Sequence, residues 1–421
     1  MFNKAALLLA VSLAVSAIAG PTVASAPPAP HAGLAIPLGR RAALTKADGV
    51  FDLDKAIAHN VFVANKHRNN LIALQKNKGV AAFNAGAEIK ELRKIPVDVE
   101  ARLRQSVAKR QAEPLTNIQN DLEWAGTVSI GTPAQKFLID FDSNVCKSKK
   151  RYAASSSSTS SKKSGSFSIQ YGDGSTVSGP IHSDTVDVAG VVAVKQHFSP
   201  VTTLSHSFSD DPIDGIMGMA FPEISNIGES PFFDTAHSAG NVDSNMFSFY
   251  LASTGSELYL GGTNSKLYSG DIEYVPVAAS SGFWQATGAK IKVGSTTVLQ
   301  DFQAIIDSGT TIMYGPPASV KEVFSHVEGS QLFDSASGFY SYPCDNPPKL
   351  SFNYGGKDWT ISADNINLGK TKEGSSSCIA SLSAQNLGLG EGVWLLGDSF
   401  MKNTYTVFNV DKKAVGFASL A

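Results

Sequence analysis

Two short stretches of the chain each set a carboxylate where it could do chemistry. One is Gln303-Ala304-Ile305-Ile306-Asp307-Ser308-Gly309-Thr310-Thr311. The Ile-Ile pair reads as the end of a buried strand, and Gly309 permits a tight turn. A carboxylate with its backbone sunk in a core is costly unless it is paired or hydrogen-bonded. Capping its own turn is one way to satisfy Asp307; service beside a second carboxylate is another. The chain supplies a match: Phe137-Leu138-Ile139-Asp140-Phe141 is a hydrophobic strand that delivers Asp142, again with a hydroxyl residue, Ser143, behind it. Two carboxylates about 3 Å apart cannot both ionise cheaply, so they share one proton and titrate as a pair. The ionised member takes a proton from a water lying between them, and the protonated member donates to a carbonyl oxygen. Attack by the water gives a tetrahedral diol, and proton return expels an amine. This amide hydrolysis uses neither metal nor cofactor and works best in acid, where the pair holds a single proton.

The elements that would position such a pair recur along the chain. Ser166-Phe167-Ser168-Ile169-Gln170 alternates like a strand and runs into Tyr171-Gly172-Asp173-Gly174-Ser175, a hairpin tip. An aromatic there could close over a substrate and exclude water. Asp214-Gly215-Ile216-Met217-Gly218 and Trp394-Leu395-Leu396-Gly397-Asp398 are both apolar strands interrupted by Gly, a sign of close approach by another backbone. Each half therefore holds an acid at a strand end and, later, an apolar-apolar-Gly strand. This weak duplication predicts two β lobes related by a pseudo-twofold axis, each bringing one Asp to the seam. Tyr405–Asn409 and Ala414–Ala418 read as a closing pair of strands. Competing chemistries lack their motifs: there is no His-Glu-x-x-His, no Gly-x-Ser-x-Gly and no phosphate-binding Gly-x-x-x-x-Gly-Lys-Ser/Thr. A glycosidase also uses two carboxylates, but that reading leaves the Gly strands and the hairpin unexplained.

With 421 residues, 43% of them hydrophobic and 17% charged, the chain can bury one large or two ordinary cores, and its Gly, Ser and Thr suit an all-β protein. Lys4, the apolar run Ala5–Ala19 and the small residues Ala24-Ser25-Ala26 predict a secretory signal peptide over 1–26. Residues 27–110 carry 15 Lys+Arg against 7 Asp+Glu, with helical patterning over 54–75 and 87–107, and end at the dibasic Lys109-Arg110. Residues 111–421 carry 19 Lys+Arg against 30 Asp+Glu. A basic segment before an acidic body predicts a pro-segment held partly by charge, an attraction that weakens as carboxylates protonate. A nucleic-acid-binding domain is the alternative, but no zinc-finger or comparable pattern supports it. The stretch from Ala153 to Ser166, rich in Ser, Thr, Ala and Lys, reads as a flexible surface loop. Of the three cysteines, Cys344 and Cys378 flank the strand-like Lys349–Tyr354 and Trp359–Ile361, and we pair them, which leaves Cys146 over. No apolar tail follows the last strand, so no membrane anchor is expected.

From about Asn120 to its end the chain resembles the pepsin-like aspartic proteases, and among them the secreted fungal acid proteases. Asp307-Ser308-Gly309-Thr310-Thr311 matches the second catalytic loop in full, Tyr171-Gly172-Asp173-Gly174-Ser175 matches the flap, and the two Gly strands match the hydrophobic-hydrophobic-Gly elements. Cys344 and Cys378 sit where that family has its C-terminal-lobe disulfide. The resemblance implies an all-β bilobal fold with two β-barrel lobes, 111–275 and 276–421, around a cleft. It implies Asp142 and Asp307 as the catalytic pair. Tyr171, Gly172 and Asp173 would act from the flap and Ser308, Gly309, Thr310 and Thr311 around the second Asp, with Thr310 lining the cleft near the substrate backbone. It implies a secreted, extracellular or vacuolar monomer that cuts protein or peptide substrates between large apolar residues, with Asp173 admitting Lys before the cut, and with no cofactor, metal or nucleic-acid partner. A basic side chain of the pro-segment would cover the Asp pair before activation, with Lys66, Lys76 and Lys78 as candidates. The first loop departs from the family's Asp-Thr-Gly-Ser: Asp142 is followed by Ser143-Asn144-Val145-Cys146, and the supporting Trp is missing. Three readings of that departure stand open: an active enzyme with a shortened loop, a pseudo-protease that binds peptides without cutting them, and a sequence that lacks a piece at an exon junction.

Overall fold

The computed structural model describes residues 34–38, 44–110, 125–140, 150–170, 176–203, 214–278 and 281–421. Asp142, Cys146, Tyr171, Gly172, Asp173 and the proposed signal peptide lie outside the described residues. The first described elements are strand β1 (Leu34–Pro37) and helix α1 (Leu53–Lys78). Asp52 caps α1 by accepting the N–H of Lys55 at 3.2 Å, Asp54 sits in its first turn, and Lys76 and Lys78 sit in its last, the arrangement that the helix dipole favours. Gly79, at φ 82°, ends it. Ala56, Asn60, Val63, Ala64, His67, Leu71 and Leu74 fall on one face and are buried, as a helix packed along one side requires. The second helical pattern was expected from residue 87, but helix α2 covers only Val97–Arg110. The stretch before it forms no helix, and some of its backbone donors have partners elsewhere: Glu88 N–H donates to Gly388 O at 2.9 Å and Arg93 N–H to Asn65 Oδ1 at 2.9 Å. Pro96 also disfavours a helical residue before it.

Strands β2 (Ala125–Ile130), β3 (Gln135–Asp140), β4 (Ser161–Gln170), β5 (Thr176–Val188), β6 (Val191–Phe198) and β7 (Gly215–Ile216) form the first sheet, in the order β4-β5-β2-β3-β7 with β6 also on β5. Next come β8 (Met246–Tyr250), β9 (Glu257–Leu260) and β10 (Tyr268–Pro276). The second sheet holds β11 (Gln285–Val293), β12 (Thr296–Ile306), β13 (Met313–Gly315), β14 (Gln331–Asp334), β15 (Phe339–Pro343), β16 (Leu350–Asn353), β17 (Asp358–Thr360), β18 (Asn367–Lys370), β19 (Ser377–Ala384) and β20 (Val393–Leu396). Strands β21 (Tyr405–Asn409) and β22 (Ala414–Leu420) complete a third sheet, β1-β9-β8-β21-β22-β10, which joins both halves of the chain. Its core is aromatic, with Phe247, Phe249, Trp284 and Phe408 in ring contact. The protein is mostly β, in open sheets among the described residues. Cys344 and Cys378 are disulfide-bonded. No helix among the described residues is long and apolar enough to cross a membrane.

The duplicated pattern has a structural counterpart. In the first sheet β3 runs parallel to β7, pairing Ile139 with Gly215 and Asp140 with Ile216. In the second, β12 runs parallel to β20, pairing Ile305 with Leu395 and Ile306 with Leu396. Each acid-delivering strand thus lies beside the Gly strand of its own half.

The Ser-rich stretch is not the flexible loop expected of it. Ser161–Gln170 is strand β4, paired antiparallel with β5, and the residues before it wrap a carboxylate. Asp184, 1% exposed, accepts from Tyr152 Oη and Thr159 Oγ1, both at 2.5 Å, and from Thr185 N–H at 2.7 Å. Ser157 Oγ accepts the Thr132 N–H at 2.9 Å. Hydroxyls that read as solvated in sequence are thus committed to a buried acceptor. Burial pushes the Asp184 carboxyl up, but hydrogen bonds from Thr159, Tyr152 and Ser157 outweigh it and leave the pKa below its ordinary value. The ion therefore contributes stability above the usual Asp pKa of about 4, and that contribution is lost as pH falls through the depressed value. Asp184→Asn is expected to cost about 1–3 kcal/mol near neutrality and less in acid, checked by urea unfolding at the two pH values.

Candidate active site

Asp307 stands immediately after β12. Its N–H donates to Leu396 O at 3.0 Å, so the residue is pinned to β20. The Ser-Gly-Thr turn then folds back on the side chain. Gly309 N–H donates to Oδ1 at 3.0 Å and Thr310 Oγ1 to Oδ2 at 2.7 Å. The two carboxylate oxygens thus have separate donors, which fixes the plane of the group and favours its ionised form. Thr310, expected to line the cleft, is instead fully buried, with its hydroxyl committed to Asp307. Ser308 remains half-buried beside the acid and lines the cavity with it. Thr311 O accepts from the N–H and Oγ of Ser399, both at 3.1 Å.

Gly397 explains why an apolar strand carries a glycine. A Cβ built there would lie 2.0 Å from Thr310 O and 2.6 Å from Ile312 O. The Asp307 turn rests directly on this backbone, and Asp398 N–H reaches Thr310 O at 2.8 Å. Gly397→Ala is therefore expected to destabilise the protein by about 1–3 kcal/mol and to displace the Asp307 turn. A lowered melting temperature together with lost turnover would check this. At Gly218, its counterpart, an added Cβ would meet nothing within 4 Å among the described residues.

The side chains facing Asp307 come from α1. Lys66 Nζ donates to both carboxylate oxygens at 3.1 Å and to Gly309 O at 3.4 Å. The two side chains are only 14% and 12% exposed. His67 Nε2 stands 3.6 Å from Asp307 Oδ2, with its ring buried against Phe283. Burial alone would raise the Asp307 pKa, but the Lys66 ammonium, then His67 and Thr310, hold it well below the ordinary carboxylate range. A cavity of about 1160 Å³ opens around this contact, lined by Asp307, Ser308, Phe221, Phe283 and Trp284 among others. Among the described residues, no group of three His, Cys, Asp or Glu side chains could hold a metal ion.

Of the three lysines named from sequence, Lys66 meets the acid, Lys78 lies 3.5 Å from Glu223, and Lys76 is exposed. The sequence did contain a signal for His67, which falls on the buried face that α1 repeats at Ala56, Asn60, Val63 and Leu71. A set of asparagines was missed altogether. Asn60 Nδ2 donates to Ser337 O at 3.1 Å while its Oδ1 accepts from Tyr314 Oη at 2.9 Å. Asn77 Nδ2 donates to Glu223 O and Ser225 O, both at 3.0 Å. Asn84 exchanges a pair of 3.0 Å amide hydrogen bonds with Gln285 and also reaches Leu389 O at 2.8 Å. The amino-terminal segment is thus held to both halves of the body by neutral side chains as well as charged ones.

Asp142 and the tip of the Tyr171 hairpin lie outside the described residues, while the strands leading to them, β3, β4 and β5, are in place. Asn69 Nδ2 reaches Gln170 O at 3.5 Å at the base of that hairpin.

The profile of the eukaryotic aspartyl protease family matches residues 123–420. An aspartic protease of Phaffia rhodozyma is 34% identical over 326 residues, covering 73% of this chain and 78% of that one. Rhizopuspepsin-1 of Rhizopus niveus is 33% identical over 328 residues, covering 73% and 82%, and cathepsin D of Clupea harengus is 34% identical over 326 residues, covering 71% and 81%. With an acid in a Ser-Gly-Thr-Thr turn, a parallel Gly strand beneath it and these relatives across the body, the chain belongs to the eukaryotic aspartyl proteases.

Proposed function

We propose that the chain is the zymogen of a secreted endopeptidase that cleaves protein or peptide substrates in acid. Residues 1–26 direct export, 27–110 form the pro-segment, and 111–275 and 276–421 are the two lobes. The observation that carries this reading is the Lys66 ammonium seated on both oxygens of Asp307, from a helix that precedes the dibasic Lys109-Arg110. A cation so placed blocks the position that an activated water needs. Once it is gone, Asp307 and Asp142 share a proton. The ionised member activates the water, and the protonated one donates to the peptide carbonyl. The hairpin carrying Tyr171, Gly172 and Asp173 closes over the substrate. The signal-peptide pattern of residues 1–26 supports an extracellular or vacuolar destination, and a single chain with both lobes supports a monomer.

The test uses purified chain, intact or processed at Arg110. Processed chain is expected to cleave a denatured protein in acid, and intact chain to be inert near neutrality. A folded, processed preparation without turnover would sink the enzyme reading for this sequence.

A further inference from the structure

Residues 44–52 dock far from Asp307 in sequence and by different chemistry. They form a tight hairpin, with Lys46 N–H donating to Val50 O at 2.7 Å and Asp52 N–H to Leu44 O at 2.8 Å. This hairpin adds to β18. Phe51 N–H donates to Lys370 O and Lys370 N–H to Gly49 O, both at 2.9 Å, and Thr45 Oγ1 donates to Leu368 O at 2.7 Å. Gly369 makes room for it, since a Cβ there would lie 2.9 Å from both Gly49 O and Phe51 N. The Phe51 ring is buried edge-on against Phe339 at 5.0 Å and Phe333 at 6.3 Å.

Two features make this surface more than a seat for the hairpin. Among the described strands β18 pairs only with β19, so loss of the hairpin frees a backbone edge able to accept another strand. Leu332 and Phe333 remain 52% and 36% exposed even with the hairpin in place, so the apolar surface extends past what residues 44–52 cover.

We propose that, after residues up to Arg110 leave, the β18 edge and the Phe333–Phe339 pocket form a docking site for an extended strand of a protein substrate. The strand it takes carries a small residue two positions before an aromatic, as Gly49-Val50-Phe51 does. The proposal rests on the zymogen reading above. Docking there holds a long, unfolded substrate while another part of it enters the cleft, and a short peptide gains nothing from it.

The probe is a fluorescein-labelled peptide of residues 44–52, titrated into processed chain freed of its pro-segment. Saturable binding is expected, weakened about tenfold by Phe51→Ala in the peptide and about tenfold by Phe333→Ser in the body. Thermal unfolding confirms that the body variant is folded. In Phe333→Ser the KM for a denatured protein should rise about fivefold, while the KM for a short peptide and both kcat values stay unchanged. Equal binding by the Phe51→Ala peptide, or equal shifts in both KM values, overturns the docking site. A body that binds the peptide but cleaves nothing supports the docking surface and overturns the enzyme reading instead. A body that cleaves but does not bind overturns the docking site alone.

Discussion

Asp307→Asn is expected to lower kcat of the processed chain by on the order of 10⁴-fold with little change in KM. An amide keeps the shape of the carboxyl: its Oδ1 can still accept from Gly309 N–H, and its Nδ2, standing where Oδ2 was, can donate to Thr310 Oγ1, the two groups that reach Asp307 at 3.0 and 2.7 Å. What it cannot do is take a proton from water or share one with a second acid. The loss therefore falls on the chemical step and spares the cleft. Steady-state kinetics on a peptide substrate, beside a melting curve, separates this from misfolding. Residual turnover near the parent level would remove Asp307 from the mechanism and return it to the role of a turn cap.

Lys66→Met in the intact chain is the second large effect. The side chain keeps its length and loses its charge. It leaves Asp307 facing a helix whose nearest ammonium is gone, and breaking a buried pair of this kind costs about 3 kcal/mol or more, roughly a hundredfold in the closed-to-open ratio. The intact variant should therefore leak activity near neutrality, where the parent is expected to be inert. The pH response changes as well. In the parent the Asp307 carboxyl lies well below its ordinary value, chiefly because Lys66 offsets the effect of burial. Closure thus gains from the ion at any pH above about 4 and loses that gain as pH falls through the depressed value. Without Lys66 the carboxyl moves up, and acid should open the variant less than the parent. A pH titration of turnover by both intact chains checks the two statements together. Equal neutral activity in parent and variant would remove Lys66 as the block.

What could be read from sequence was what local chemistry dictates. Ile305-Ile306-Asp307-Ser308-Gly309-Thr310-Thr311 announces a strand, an acid and a turn without reference to anything distant, and the structure holds each where it was read. Gly397 was legible for a similar reason, since a glycine inside an apolar strand points to a neighbour, although it does not say which. The misreadings share one cause, a partner far away in the chain. Ser157 and Thr159 looked like loop residues because Asp184 lies well beyond them in sequence. Residues 87–96 carry a helical pattern, yet the Glu88 and Arg93 N–H groups go to Gly388 and Asn65. Thr310 looked like a cleft residue because nothing local shows its hydroxyl turning back onto Asp307. The hairpin at 44–52 carries a local turn signal in Asp48-Gly49, but its seat is set by β18, which lies far along the chain.

The asparagines along the amino-terminal segment have a consequence for timing. Acid can neutralise Asp307 and weaken the Lys66 contact, but protonation leaves the side-chain amide hydrogen bonds of Asn60, Asn77 and Asn84 untouched. Lowering the pH therefore loosens the grip at the centre of α1 while its flanks stay attached. On the zymogen reading, only a break in the chain would let those flanks separate for good. Acid and the cut would then be two keys to one lock, and a molecule that meets acid without being cut is expected to close again when neutrality returns.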